Sequence, residues 1–427
     1  MSTIKKEYKN NYLTKWIEFW IFAFSISVLA LPGHGGQSAI VLLLTMLYIS
    51  IFKNSKMNTK AFFLRKEEKV FVYLVSIWFF LQLFGVIFQP EGYEFDSIRV
   101  QFRALDNPAR WLLLLPVFFL FRRYLVDWKF LAIGIGIGVL ITVSVAHYEV
   151  YFLNLDRAEG MSNHYIPFGE LMVVADLLLW AFMAYAWNNS YKILSYFLLF
   201  ASAIAFYGSL LSVTRGALIV YMFVILLWIF YLVKNNLYKN LNFFNAPFVL
   251  RLLFMFVIFF AVSQTKQYET LKDRTTSTIN DISNKNYNYA SSGRLVIYKD
   301  AINSINKYPF GIGTDNFKKI DLINGYSYNA HNQLLNIWVE NGIQGVVSIV
   351  LLIGYLIIFF WGNLKCTDKL IGVYALSGLI LIFSYIIFSA TQVIFAHQQT
   401  LLFFIFYLYL LFAQINLIKK NNNSKKT

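Results

Sequence analysis

Long apolar runs, separated by short groups of charged or turn-forming residues, dominate the chain. A helix that crosses a bilayer needs roughly 20 mainly apolar residues. Twelve runs approach that length, and they lie at about 16–31, 37–52, 69–89, 109–121, 129–148, 165–187, 191–211, 216–233, 247–265, 344–361, 370–390 and 399–418. The fourth run is short, which fits a tilted or re-entrant segment. The pattern predicts an all-α, polytopic integral membrane protein with about 12 transmembrane helices.

Composition agrees with a membrane protein and excludes other classes. The 427 residues are 58% hydrophobic and 14% charged, whereas a soluble domain is about a quarter charged. The net charge of +15 does not indicate a nucleic-acid partner, because the basic residues lie in short groups between apolar runs rather than on one polar face. A single cysteine, Cys366, excludes an internal disulfide framework and a cysteine-built metal site.

The distribution of Lys and Arg predicts the orientation in the membrane, because short cytoplasmic loops are enriched in both. With the N-terminus inside, the inside segments hold 23 basic residues. The short outside loops hold five, namely Arg99, Arg103, Arg110, Arg157 and Arg215. We therefore expect both termini in the cytoplasm, with membrane lipids around the spans.

These spans divide the chain into three regions. Residues 1–265 are predicted to form an N-terminal transmembrane bundle of about nine spans. Residues 266–343 form a large loop on the outer side, and residues 344–427 form C-terminal transmembrane helices with a basic cytoplasmic tail. The outer loop is the one soluble-sized piece, so chemistry is expected there.

The outer loop contains two predicted helices. The Asn-rich stretch 280–290 is expected to be flexible, and Ser291-Ser292-Gly293 then precedes an amphipathic helix with a serine N-cap. Pro309 to Gly313 stops that helix. A second helical stretch begins near Asn329 and ends at Asn341-Gly342. Two apolar-striped helices of this kind fit a lid or cleft wall on the outer membrane surface.

The histidines are candidates for acid–base chemistry, because the histidine pKa lies near neutral pH. In the predicted topology all of them lie at or near the outer face: His34, His147, His164, His331 and His397. No two are three or four residues apart, and there is no Cys/His cluster, Asp-x-Asp pair or phosphate-binding glycine loop. We therefore expect no metal and no cofactor.

His331 is the strongest of the five candidates. It stands at the start of a predicted helix, beside the amides of Asn329, Asn332 and Gln333. The alternative is a surface histidine that caps or packs locally.

Two arginines are candidates for phosphate binding. Arg215 lies in a tight outside turn, where its guanidinium can form paired bonds to a phosphate. The alternative for Arg215 is interfacial snorkelling.

Arg294 lies in the first turn of the loop helix, where an anion would benefit from the free backbone N–H groups. The alternative is a solvent-exposed arginine. Arg103 and Arg157 add cations at the same face, together with Arg99 and Arg110.

Two acids, Glu170 and Asp176, fall within the sixth span. A transporter would use them as a proton relay or an ion site. The alternative, which we favour because no other span places a cation near that depth, is a buried acid bonded to a neighbouring helix.

Outward-facing arginines and a histidine, without a metal or nucleotide motif, suit transfer of a group from a lipid diphosphate to an alcohol.

Several motifs resemble the signature of the O-antigen ligase and polymerase superfamily of membrane glycosyltransferases. The central motif covers Ser292-Gly293-Arg294, Tyr298, Ala301, Pro309, Gly311-Ile312-Gly313, Ala330-His331-Asn332-Gln333-Leu334-Leu335, Glu340-Asn341-Gly342 and Gly345. Thr214-Arg215-Gly216 is similar to the arginine turn of the superfamily. Phe102-Arg103-Ala104 and Asp156-Arg157-Ala158 resemble its ligase branch. The likeness extends over nearly the whole chain.

The resemblance implies an O-antigen ligase in a Gram-negative inner membrane, with its active site facing the periplasm. The donor would be a glycan on undecaprenyl diphosphate, and the acceptor a sugar hydroxyl of lipid A–core. Arg215 and Arg294 would bind the diphosphate, and His331 would act as the general base of an inverting, metal-independent transfer. Arg103, Arg157 and Asn332 would contribute to substrate binding.

Three functions remain open from the sequence. The first is the ligase, and the second is a relative in the same superfamily, either an O-antigen polymerase or a protein O-oligosaccharyltransferase. The third, from a different class, is a lipid-linked glycan flippase. A flippase should carry cations along a path through the membrane, whereas the candidate cations here lie at the outer face.

Overall fold

The computed structural model describes residues 12–31, 35–52, 64–234, 246–320 and 329–424. His34 and Tyr328 lie outside these residues. Within them the chain is helical and contains no strand. The all-α prediction is therefore confirmed.

The helices are numbered in chain order. The first ten are α1 (Tyr12–Ala30), α2 (Gly35–Phe52), α3 (Lys66–Ile87), α4 (Ile98–Arg103), α5 (Asp106–Leu113), α6 (Leu115–Phe121), α7 (Trp128–Tyr151), α8 (Tyr165–Asn188), α9 (Lys192–Leu211) and α10 (Arg215–Lys234). The others are α11 (Ala246–Val262), α12 (Lys266–Ser283), α13 (Tyr287–Ala290), α14 (Arg294–Lys307), α15 (Gln333–Asn363), α16 (Lys369–Ser389) and α17 (Gln398–Asn423). Two short 3-10 turns lie at Phe317–Lys319 and Ile394–Ala396.

Each of the twelve apolar runs lies on helix, but not all of these helices are long enough to span a bilayer. Among the described residues, eight helices meet that requirement in length and apolarity: α1, α3, α7, α8, α9, α15, α16 and α17. The bent pair of α11 and α12 gives a ninth if the two helices count as one span. The chain is thus a multi-pass membrane protein, and the count of twelve stays a prediction.

The fourth apolar run is not one helix. It is divided between α5 and α6, which meet at Leu114. Pro116 lies in the first turn of α6, and it lacks the N–H that would continue the hydrogen bonding of α5. The proline therefore explains why this run forms two short helices and not one.

Two helices form the centre of the bundle. α8 and α17 are almost completely enclosed by their neighbours. Aromatic side chains fill the space around α17, where Phe24 stacks on Phe406 with ring centroids 3.6 Å apart and Phe71 stacks on Phe412 at 4.7 Å. On another side of α1, a Cβ at Gly134 would lie 2.6 Å from Ser25. Glycine therefore lets α7 approach α1 closely, as small residues do in membrane helix pairs.

The predicted outer loop is more helical than its sequence suggests. α12 follows α11 at an angle of 86° and runs to Ser283, and the short helix α13 covers Tyr287–Ala290. Only residues 284–286 of the stretch 280–290 lie outside these two helices, and the flexibility expected for this stretch stays a prediction. The two helices expected around Ser291 and Asn329 correspond to α14 and the first part of α15.

Gly342 bends α15. Its φ of 67° and ψ of −169° fall in a region that only glycine adopts readily. The loop after α14 packs against this bend, where Ile312 N–H donates to Val339 O at 2.9 Å and Gly313 N–H to Glu340 O at 2.8 Å. A Cβ at Gly342 would lie 2.4 Å from the carbonyl carbon of Phe310. The bend therefore separates the loop-facing and bundle-facing parts of α15.

We expect Gly342→Ala to lower thermal stability strongly, because the backbone strain alone costs about 1–3 kcal/mol and the clash adds to it. The measurement is the melting temperature of the purified protein in detergent. Gly354→Ala is the matched control, since Gly354 lies in the same helix and an added Cβ there meets nothing within 4 Å. Equal melting temperatures for both variants would contradict the role given to the bend.

Candidate active site

The turn between α9 and α10 presents Arg215. α9 ends at Leu211 and α10 begins at Arg215, so three residues connect them, as the sequence predicts. Arg157 fixes this turn, because its Nε donates to Ser212 O at 3.0 Å and its Nη2 donates to Val213 O at 3.3 Å. These bonds fix the backbone that directly precedes Arg215. The C-termini of α7 and α9 and the N-termini of α8 and α10 meet here, and we call this the site end of the bundle.

Arg157 is a structural neighbour of Arg215. Its guanidinium carbon lies 3.3 Å from the centroid of the Tyr165 ring, and its donors are directed at the carbonyls that end α9. Burial lowers the pKa of Arg157 to about 10, and the positive charges of Arg274 and Arg215 contribute. Arg157 thus lies beside the cationic site, although its hydrogen bonds serve the turn.

Arg215 is held by α12. Its Nη1 donates to Arg274 O at 2.8 Å and to Thr278 Oγ1 at 2.5 Å. Its Nε and Nη2 make no hydrogen bond to the residues that the structure describes. One edge of the guanidinium is therefore positioned by protein, and the other is available to a ligand.

Four arginines form a cluster at the site end: Arg157, Arg215, Arg274 and Arg294. The charges of Arg274 and Arg294 both act on Arg215, and those of Arg274 and Arg215 act on Arg157. Across the described ranges, none of the four forms an ion pair with a carboxylate. Four arginines that form no ion pair suit an anionic ligand such as a phosphate or diphosphate.

The start of α14 places Arg294. The N-cap is Gly293, with φ of 79°, and not a serine as the sequence analysis expects. Ser291 contributes from outside the helix, since its Oγ accepts from Leu295 N–H at 3.4 Å. Arg294 is the first helical residue, so its charge and the free N–H groups of α14 lie close together.

Arg274 is a member of the cluster that the sequence analysis misses. It lies in the middle of α12, four residues before Thr278. The available signal is this spacing, which places both residues on one face of a helix. The polar composition of this segment, which is typical of a loop, conceals that spacing.

A short turn at residues 390–392, after α16, lies between His331 and the start of α10, where Arg215 is. The Nδ1 of His331 is 3.0 Å from Gln392 Oε1. The amide oxygen of Gln392 accepts, so this contact fits the neutral tautomer that carries its proton on Nδ1 and leaves the lone pair on Nε2. The backbone of His331 has φ of 48°, and Asn329 Oδ1 accepts from its N–H at 2.9 Å. In that tautomer Nε2 is the ring nitrogen that can accept a proton.

The turn after α16 connects His331 to the arginine turn. Gln392 in this turn binds His331, and Asn332 Nδ2 lies 3.4 Å from Ala390 O. On its other side the turn contacts Gly216, where a Cβ would lie 3.0 Å from Thr391 Oγ1. Residues 390–392 therefore contact both His331 and the first turn of α10, which carries Arg215.

Two predicted binding residues have other surroundings. Asn332 caps α15, because its Oδ1 accepts from Leu335 N–H at 3.0 Å, so its side chain supports the segment that carries His331. Arg103 is exposed at the end of α4, and the structure does not bring it into the arginine cluster.

Three other histidines lie near the same end but have local roles. The Nδ1 of His147 is 2.8 Å from Tyr207 Oη. The Nδ1 of His164 accepts from Ile166 N–H at 3.2 Å and caps α8. The ring of His397 lies 6.2 Å from that of His164, and burial, with the neighbouring His164, lowers the pKa of His397 to about 4. His397 is therefore neutral at physiological pH.

The buried acid Asp176 has a cationic partner, contrary to the expectation that no span supplies one. Arg251 of α11 pairs with Asp176 of α8 at 2.7 Å. Arg251 is one of the 23 basic residues that the predicted topology assigns to the cytoplasmic side, whereas it lies inside the bundle and is 1% exposed. Asp176 is bonded to neighbouring helices, as favoured. Glu170 is also buried, and its Oε2 has no hydrogen-bond partner in the described residues.

The titratable side chains do not form a metal site. Among the described residues, no group of three or more His, Cys, Asp or Glu side chains could hold a metal ion.

Comparison with known proteins agrees with this arrangement. Residues 198–350 match a family model described as O-antigen ligase, and this segment includes Arg215, Arg274, Arg294 and His331. A protein of Haemophilus influenzae, described only as uncharacterized, is 24% identical over 412 residues, which cover 93% of this chain and 97% of that protein. The predicted resemblance to the O-antigen ligase superfamily is thereby confirmed for the segment at residues 198–350.

Proposed function

We propose that the protein is a lipopolysaccharide O-antigen ligase. It would transfer a glycan from undecaprenyl diphosphate to a sugar hydroxyl of lipid A–core. The observation that carries this proposal is the arginine cluster at the site end, together with the turn at residues 390–392 that contacts both His331 and the start of α10. The match of residues 198–350 to the O-antigen ligase family model supports a lipid-linked glycan as donor.

The mechanism begins with the acceptor hydroxyl. His331 Nε2 takes its proton, while the bond from Nδ1 to Gln392 keeps the ring in the required tautomer. The acceptor oxygen attacks the anomeric carbon of the donor sugar, and the bond from that carbon to the diphosphate oxygen breaks. Direct displacement inverts the anomeric configuration.

The diphosphate leaves as an anion and needs compensating charge. The unbonded edge of Arg215 and the guanidinium of Arg294 bind it, and no metal is required. Bidentate guanidinium bonds strengthen as negative charge develops on the leaving oxygen, so the arginines stabilise the transition state more than the bound donor. Arg157 supports this site by holding the turn of Arg215.

The same proposal places the protein in the inner membrane of a Gram-negative bacterium. Both termini would be cytoplasmic, and the site end would face the periplasm. The distribution of basic residues and the multi-pass helices support this orientation.

Deletion of the gene, followed by separation of lipopolysaccharide and of undecaprenyl-linked glycans, tests the proposal. We expect loss of all O-antigen while long undecaprenyl-linked chains accumulate, because chains are made but not transferred. Core bearing a single repeat would indicate a polymerase, and unchanged lipopolysaccharide with an altered glycoprotein would indicate a protein O-oligosaccharyltransferase. Undecaprenyl-linked glycan retained on the cytoplasmic side would indicate a flippase. Re-expression of the chain is the control.

A further inference from the structure

A buried ion pair joins α8 to α11. Arg251 and Asp176 are 1% and 0% exposed, and two bonds connect them, from Nη1 to Oδ1 at 2.7 Å and from Nη2 to Oδ2 at 3.1 Å. Tyr221 Oη donates to Asp176 at 2.8 Å, and Ser202 contacts both charged groups. The guanidinium carbon lies 4.2 Å from the Trp180 ring centroid. Four helices therefore contribute to one charge network.

Arg251 is the charged residue on the inward face of α11. Much of the rest of this helix is exposed outside the bundle: Val249, Leu252, Leu253, Phe254, Phe256, Val257, Phe259 and Phe260. The inward face also contains Val262, which is buried, and apolar side chains that pack against the core: Phe248, Leu250, Met255 and Ile258. Apolar contacts of this kind tolerate small rotations in lipid, whereas turning Arg251 away from Asp176 would expose both charges to lipid, which is strongly unfavourable. The ion pair is therefore the most specific constraint on the rotation of α11.

The rotation of α11 determines where α12 lies. α12 leaves α11 at 86°, so it acts as a lever. Arg274 is eight residues beyond Lys266, about 12 Å along α12 at 1.5 Å per residue. A rotation of α11 by about 10° would move Arg274 by roughly 2 Å. Such a movement would break the 2.8 Å bond between Arg215 Nη1 and Arg274 O.

We propose that the Asp176–Arg251 pair is a positioning device for the arginine cluster. It holds α11 in the rotation at which Arg274 and Thr278 of α12 fix the guanidinium of Arg215. Both charged residues act through Arg215 and touch no substrate. The inference rests on the proposed function, because it gives the held arginine the role of binding a diphosphate.

The test removes the charges without leaving one unpaired. Asp176→Leu combined with Arg251→Met replaces the pair with apolar groups, which is often neutral for stability, whereas removing one partner is not. We expect a folded protein in which inorganic pyrophosphate binds at least tenfold more weakly than in the parent. Spin labels at Phe152→Cys and Ile279→Cys, both exposed, should show a broader distance distribution between α12 and the bundle. The label positions require a Cys366→Ser background.

A second buried ion pair provides the matched control. Glu68 and Arg122 lie 2.7 Å apart, with side chains 4% and 9% exposed, and neither belongs to α11 or α12. Glu68→Gln combined with Arg122→Met should leave both the pyrophosphate affinity and the distance distribution at parental values. If the Asp176–Arg251 pair positions the cluster, only its replacement should weaken pyrophosphate binding and broaden the distance distribution. If loss of any buried ion pair had these effects, both double variants would show them equally.

Parental affinity or a parental distance distribution in the folded Leu/Met variant would overturn the proposal. If that variant does not fold, Asp176→Asn is measured with the same labels, and an unchanged distribution would overturn the proposal equally. The distance measurement is independent of glycan transfer. A parent protein that transfers no glycan would therefore contradict the proposed function, while the labels would still test the lever.

Discussion

His331→Ala is expected to reduce glycan transfer by about 100- to 10,000-fold, the range that a positioned general base contributes. The imidazole carries the lone pair that accepts the hydroxyl proton, and alanine offers no substitute. The measurement is the rate of transfer from a lipid-linked donor by the purified, reconstituted protein, with the melting temperature as the check on folding. Pyrophosphate binding should change little, because the arginines remain.

Two further variants test whether the loss is specific to His331. His147→Ala removes a histidine at the same end of the bundle whose Nδ1 contacts Tyr207, and it should transfer glycan at the parental rate. Gln392→Leu removes the partner of Nδ1 and allows the proton to occupy either nitrogen, so its loss should be smaller than that of His331→Ala. Parental turnover of His331→Ala would show that another group takes the proton.

Arg215→Lys is expected to lower turnover by about 100-fold, comparable to the loss of one preorganised donor at a developing anion. Lysine keeps the charge but has no planar fork, so it cannot bond α12 on one edge and a phosphate on the other. The rate of transfer and the affinity for pyrophosphate measure the two consequences separately.

The control for this prediction is Arg99→Lys. Arg99 is an exposed residue of α4, and the same change there should leave both the rate and the affinity unchanged. If Arg215→Lys retained parental affinity and turnover, the paired guanidinium bonds would not be part of the mechanism.

Much of the fold is predictable because a bilayer imposes a length on apolar runs. The sequence locates the helices, and the gap of three residues after Leu211 is short enough to predict the turn that carries Arg215. The break between α5 and α6 is less predictable, since Pro116 divides a run that hydropathy treats as continuous. The helical course of α12 and α13 is hidden by a composition typical of loops.

The partners of the site residues are less predictable than the residues themselves. His331 is recognisable from its neighbouring amides, but Gln392 lies 61 residues away, and no local pattern connects the two. Arg157 looks like a ligand-binding cation, yet its donors satisfy carbonyls at the end of α9. Arg251 looks like a membrane-flanking charge, because the sequence does not show that Asp176 of a distant helix lies opposite it.

The arginine cluster has a consequence for the empty enzyme. None of the four arginines forms an ion pair with a carboxylate of the described residues, so their charges repel one another when no ligand is bound. Small anions from solution would reduce this repulsion. Under the proposed function, each transfer would then be accompanied by an exchange of ions: the donor would displace these anions when it binds, and their return would favour release of the lipid diphosphate.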